Sequence, residues 1–480
     1  MEPSKYIIAA QHLGFNGYEK SNDEKITMEE QQEALLRIFQ LAGYFNLSNL
    51  WHDLYCMGNI ENLDQVFHDV ASIVKHSKAD QSDPTLFDVK YMRTNLFNST
   101  SIDLQDVLDY ILYIAQHAFG REAGKERYEL ITPDWAIHYK DYYIETACLL
   151  RLIDRQEPIL NEYDSCWIAG ASRVVLFQRI IDYKYYIHRK NIKIKGETLV
   201  LAGKRELWAN IDGMSPEIHK KLLEASKTCV DIDTIHFPIS TDDHTSKILE
   251  GQQYMLDLAQ FYNIKLNVSK PFIEYTCKDE CPSGRFPNRI YANYDANHTL
   301  ELTETLLAQD LLRTCSINNT NDINIIDTLV KDQQRPDTGS TVQDAFERFV
   351  QNILAGKYGE QKLFNILLCS SNPCIERQML VAQQEIDQIT EKYNLLKQNY
   401  EFKIEGVGFS TRQQLTIIHS ELGALITEKY KIAMKNIANE SGKQCKRNIQ
   451  QLLFRTRDKN TFVPNMPNNH FKLDDHFVEN

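Results

Sequence analysis

Two hydrophobic periodicities divide this chain. Up to about residue 150 apolar positions recur at helical spacing, and beyond about residue 160 short apolar runs alternate with helical stretches. In the first part, Thr27-Met28-Glu29-Glu30 sets a hydroxyl three residues before a carboxylate, so that each side chain can cap the other's backbone amide. Ala34, Leu35, Ile38, Phe39 and Leu41 then share one face, and Gly43 ends the stretch. From Asp103 a second stripe, Val107, Leu108, Ile111, Leu112 and Ala115, runs toward Gly120. The spacing predicts a helical N-terminal domain over residues 1–155.

The second part reads differently. Apolar runs at 165–170, 197–203, 234–239, 263–268, 324–330, 363–369 and 400–407 alternate with helical patterns at 172–189, 216–226, 340–350, 377–397 and 411–438. The runs are continuous rather than alternating, as in strands covered on both faces, and crossover helices of ten or more residues imply parallel pairing. The predicted fold class is α/β: a Rossmann-like three-layer domain with a mostly parallel sheet over residues 160–440, preceded by the helical domain. An insertion is expected at about residues 265–320, irregular between Pro271 and Arg289. Residues 456–480, rich in Asn, Asp and Pro, show no periodicity and read as a flexible tail.

Bulk properties narrow the partners. A net charge of −13 argues against nucleic acid and against an anionic membrane surface. The start of the chain lacks a basic flank before an apolar core, and no apolar run approaches the roughly 18 residues that span a bilayer. A soluble protein made in a cytoplasm is expected, or one secreted into a host cell without a cleaved signal peptide. Ten scattered cysteines, such as Cys148, Cys166 and Cys369 in apolar contexts, read as reduced thiols. Cys277 and Cys281 form the one close pair, without two further soft ligands beside them, so no metal is expected.

Four segments carry candidate chemistry. Gly170-Ala171-Ser172-Arg173 and Gly203-Lys204-Arg205-Glu206 each follow a strand with a glycine, and plain turns or solvated loop charges would explain them equally. Ser340 and Thr341 open a helix, where Ser340 and Gln343 could form a capping box that needs no ligand. The run 363–369 stops at Ser370-Ser371-Asn372-Pro373 and turns into a helix bearing Cys374 and Arg377. A strand that ends in small hydroxyl residues and passes straight into a helix is how open α/β sheets build ligand sites, because first-turn amides face the crevice. Cys374 has no histidine tied to it by a motif, and Asp242-Asp243-His244 reads as a solvated loop. No phosphate loop, dinucleotide fingerprint or nucleophile elbow names a reaction.

Taken in order, these segments resemble the DUF218 family of bacterial proteins, the YdcF, SanA and ElyC group. Ile168-Ala169-Gly170 with Arg173 matches that family's glycine turn and Arg-bearing helix, and Val200-Leu201-Ala202-Gly203 its second strand end. Ser340-Thr341 resembles its Thr-bearing helix start, Ser370-Ser371 with Arg377 its last strand end, and 419–425 its terminal helix. The likeness covers about residues 160–432; Lys204 stands where the family has a second glycine, and Cys374 where it usually has histidine. The resemblance implies a Rossmann-type domain and an association with envelope biogenesis.

The leading expectation is a protein that binds an anionic, nucleotide-like or phosphorylated small molecule, such as S-adenosylmethionine or a nucleotide, across the strand ends. Gly170, Ser172, Gly203, Ser340, Thr341, Ser370, Ser371 and Asn372 would line it; Arg173, Arg205 and Arg377 would supply countercharge; Glu206 would contact ribose or act as general base. The rival expectation is an interaction or effector protein, its α/β domain a degenerate scaffold and residues 1–155 the surface for a protein partner.

Overall fold

In a computed structural model of the chain, the described residues are 5–19, 25–42, 104–120, 132–204, 274–278, 289–295, 298–301, 303–314, 323–329, 336–410 and 415–441. They fall into two compact units. Residues 1–18, 26–146 and 429–480 make one, and residues 19–25 and 147–428 the other.

The first unit holds helices α1 (Lys5–His12), α2 (Met28–Leu41), α3 (Leu104–Ala118) and α4 (Asp134–His138). The boundary between units falls within α5 (Lys140–Leu149) and within the last helix. The expected cap is present: the Glu30 carboxylate accepts from the Thr27 amide at 2.7 Å, and the Thr27 hydroxyl from the Glu30 amide at 3.2 Å. Leu35, Ile38, Phe39, Leu108, Ile111 and Leu112 are all buried, as the stripes require.

The second unit is α/β. Besides a short parallel pair, Glu162–Tyr163 with Lys193–Ile194, its strands are β1 (Ser165–Ala169), β2 (Thr198–Gly203), the group β3 (Glu274–Lys278), β4 (Arg289–Asp295) and β5 (His298–Glu301), then β6 (Ile323–Thr328), β7 (Leu363–Ser371) and β8 (Glu401–Phe409). Helices α6 (Arg173–His188), α7 (Glu304–Thr314), α8 (Thr338–Leu354), α9 (Ile375–Lys392), α10 (Asn394–Asn399) and α11 (Leu415–Ser441) complete it. Five strands form one all-parallel sheet in the order β6-β2-β1-β7-β8. β3, β4 and β5 pair antiparallel, so the expected insertion contains a small sheet where irregular chain was expected.

Why the runs look continuously apolar is visible in the packing. Along β1, Cys166 and Ile168 face α6 and α7, while Trp167 and Ala169 face α8 and α9. Successive side chains point to opposite sides of a strand, and here both sides are covered. Each fully buried large side chain contributes about 1.5–3 kcal/mol. On the α8/α9 side Phe346, Phe349, Phe364 and Phe402 interlock, with Phe346 and Phe402 edge to face at 4.8 Å.

Helix α6 is buried nearly all round, charged residues included: Arg179, Asp182 and Lys184 are each at least nine-tenths buried. Helix α8 starts earlier than its capping signal suggested. Its cap is Asp337, whose carboxylate accepts from the Ser340 amide at 2.9 Å while the Ser340 hydroxyl accepts from the Asp337 amide at 2.9 Å. Gln343 instead donates to Glu385 at 2.6 Å, so the expected Ser340–Gln343 box is replaced by Asp337–Ser340. The helical run 377–397 is also split, α9 ending at Lys392 and the short α10 following. Among the described residues, no helix is long and apolar enough to cross a membrane.

Candidate functional site

The strand order places the first strand beside the fourth. The chain steps outward from β1 through β2 to β6, then returns to the other side of β1 with β7 and β8. Successive crossovers therefore leave β1 and β7 in opposite directions, and the loops that follow them separate at the carboxyl edge. In open parallel sheets this switch point is where a crevice forms and ligands bind.

Gly170, Ala171 and Ser172 follow β1 and are half-buried. A Cβ on Gly170 would run into the Leu201 carbonyl oxygen and come within 3.0 Å of the Glu304 carboxylate, so the close approach requires glycine. Ser172 is the cap residue of α6, and its side chain makes no capping bond. The first-turn amides of such a helix have no partner within it, and they point to this edge. Arg173 is the first residue of α6; its side chain lies outside the described ones.

After β7 the expected residues are present but engaged. Ser370, Ser371 and Asn372 are all buried. The Ser370 hydroxyl donates to the Gln378 side-chain carbonyl, and the Asn372 side chain donates to the Asp154 carbonyl; the Asn372–Pro373 peptide is cis. The Ser371 hydroxyl accepts from Arg179, at 3.3 Å from Nε and 3.2 Å from Nη2. Nη1 of the same arginine donates to the Ala169 and Gly170 carbonyls at 2.8 and 2.7 Å. One buried guanidinium thus joins the ends of β1 and β7.

Arg377 departs from its expected role. Its Nε donates to the Glu421 carboxylate at 2.7 Å, and both side chains are largely or fully buried. Burial alone would lower its pKa, but Glu421, with Cys374 and Glu428 beyond it, holds the guanidinium above its usual range. Its charge is absorbed within the fold rather than presented to the crevice. Thr341 departs too: its amide donates to the Asp337 carbonyl at 3.1 Å and its hydroxyl to the Asp337 and Thr338 carbonyls, so it completes the helix start. Ser340 is the partner of Asp337 in the cap. Gly203 ends β2 with Pro336 packed over it, 2.5 Å from where a Cβ would stand. Arg205 and Glu206 lie outside the described residues, as do residues 242–244.

Residues that motif reading passed over dominate the edge: Arg179, Gln378, Arg155 and Asp182. Arg155 donates to Asp182 at 2.9 Å, and burial pushes the Asp182 carboxyl up to about 7 against the pull of that guanidinium. The signal was in α6, where Arg179 and Asp182 interrupt the apolar sequence Leu176, Phe177, Ile180 and Ile181. At the outer edge Lys204 lies 3.8 Å from Asp327, which accepts from the Thr305 hydroxyl at 2.6 Å. Among the described residues, no group of three or more His, Cys, Asp or Glu side chains is arranged to hold a metal ion. No protein-family model, curated protein or solved structure matches the chain.

Proposed function

We propose that the chain is a Rossmann-like protein that binds an anionic, nucleotide-like or phosphorylated small molecule at the carboxyl edge of its parallel sheet. The observation that carries the reading is the strand order, which puts the switch point between β1 and β7, beside Gly170, Ala171 and Ser172. The half-buried turn, a glycine that admits close approach, and the start of α6 suit an anionic group there. Arg179, buried beneath the turn, braces the ends of β1 and β7 at the same point. Kinship with the DUF218 family belongs to this proposal, on the Gly170 and Ser370-Ser371 strand ends.

Thermal stability against ATP, S-adenosylmethionine and phosphorylated sugars tests the reading. A ligand at about 100 times its dissociation constant adds about 2.7 kcal/mol of stability. The companion variant is Ser172→Asp, which supplies a better helix cap yet sets a carboxylate against an anionic ligand. A melting shift in the wild type that disappears in a folded Ser172→Asp protein supports the site. A shift that survives there moves the ligand elsewhere.

One observation favours the rival reading. Arg377 with Glu421, and Ser370, Ser371 and Asn372 with their partners, are paired inside the fold. A folded protein silent to the whole panel would make the α/β unit a scaffold and direct the search to a macromolecular partner of residues 1–155.

A further inference from the structure

Residues 151–157 leave α5 and cross the carboxyl edge of the sheet. Arg151 stands in the left-handed region (φ 62), which a residue with a side chain adopts only under constraint. Leu152 and Ile153 root the segment in the interior. Beyond them its holds are chiefly polar and come from both sides of the sheet. Arg151 lies 3.4 Å from Glu376 on α9 and donates to Gln156 at 2.9 Å. The Asp154 carbonyl accepts from Asn372, directly after β7. Gln156 exchanges two backbone hydrogen bonds with Gly408 near the end of β8, each 3.0 Å.

The far end is held by Arg155. Its Nη2 donates to the buried Asp182 carboxylate of α6 at 2.9 Å, and its Nε to Glu157. The guanidinium lies 4.4 Å from the ring centroid of Tyr185, 4.6 Å from Phe409 and 5.3 Å from Tyr186. Three rings and a buried carboxylate form a cage for one cation. From these contacts we propose that residues 151–157 are a latch across the carboxyl ends of β7 and β8, locked by Arg155 in the cage of Asp182, Tyr185, Tyr186 and Phe409. A single two-bond bridge and a set of side-chain contacts are the kind of structure that opens locally while a parallel sheet stays intact. That the latched edge is a ligand site rests on the function proposed above; the latch itself does not.

Hydrogen exchange of the full chain, comparing wild type with Arg155→Ala and Arg155→Lys, tests it. The Gln156 and Gly408 amides are expected to exchange about ten-fold faster or more in Arg155→Ala, with β1 and β2 still protected. Arg155→Lys keeps the charge but loses the planar fork, and should fall between. Unchanged protection at Gln156 and Gly408 overturns the proposal, and so does loss of protection in step across β1 and β2, which would mean simple unfolding. ATP and S-adenosylmethionine are then mixed with both proteins. Faster association with Arg155→Ala supports a latch over the site, whereas local opening with identical association rates overturns that placement. Local opening with no binding of ATP, S-adenosylmethionine or the phosphorylated sugars to any variant leaves the latch supported and sinks the ligand reading.

Discussion

Arg377→Ala is the variant that a motif reading would choose to abolish ligand binding, and the geometry gives it a different consequence. The guanidinium faces Glu421 at 2.7 Å, with 14% of the Arg377 side chain exposed and none of the Glu421 side chain. Removing one partner of a buried pair leaves a desolvated charge with less compensation, which costs about 3–5 kcal/mol. For a domain of a few hundred residues, with about 2–4 °C lost per kcal/mol, melting should fall on the order of 10 °C without any ligand present. Replacing both groups by neutral side chains of similar volume, Arg377→Met with Glu421→Gln, should recover most of that loss. Scanning calorimetry is the assay, and Arg377→Met, Glu421→Gln and their double variant close a mutant cycle with a coupling of about 2 kcal/mol or more. A drop of only about 2 °C in Arg377→Ala would refute the argument, as would a double variant no more stable than the alanine single.

Two further outcomes follow from the same coordinates. Asp182 is raised in the folded state to about 7, so its contribution to stability is fully present below the ordinary carboxyl range and lost as pH rises through about 7, on the order of 4 kcal/mol in all. Urea midpoints from pH 4 to 8 should therefore fall relative to those of Asp182→Asn, and parallel curves would contradict it. At the start of α8, Asp337→Ala should cost about 1 kcal/mol and Asp337→Asn only a few tenths, measured by the same denaturation; equal losses would show that the cap is not the side chain's main role.

The five strands of the parallel sheet were legible in the sequence for a physical reason: a parallel sheet covered on both faces leaves an unbroken apolar run, while the runs at 234–239 and 263–268 lie outside the described residues. Residues 165–170 and 363–369 coincide closely with β1 and β7. Their order in the sheet was not legible, since it depends on where each crossover returns and no local pattern encodes that. The starts of α2 and α8 show the limit of cap reading. Thr27 offered one oxygen to one carboxylate, whereas 337–343 offered Asp337, Ser340 and Gln343, and the longer-range bond of Gln343 to Glu385 decided between them.

The same distinction separates the candidate site that could be read from the one that is built. Gly170, Ser370, Ser371 and Asn372 stand at strand ends, as their local sequence implies, but decisive polar partners are distant in the chain: Ser371 is 192 residues from Arg179, Asn372 218 from Asp154, and Arg377 44 from Glu421. Reading a charge from a motif assumes that it is available to a ligand, and a packed interior assigns it first to whatever opposite charge or carbonyl lies within reach. An arginine in an exposed loop has water as an alternative and reports little about geometry. An arginine within the apolar sequence of a helix has none, so its burial demands convergent acceptors. In α6 that demand is met by the carbonyls ending β1 and the hydroxyl ending β7. Arg179 therefore marks the switch point more securely than Arg377, because its position is intelligible only if two strand ends meet there.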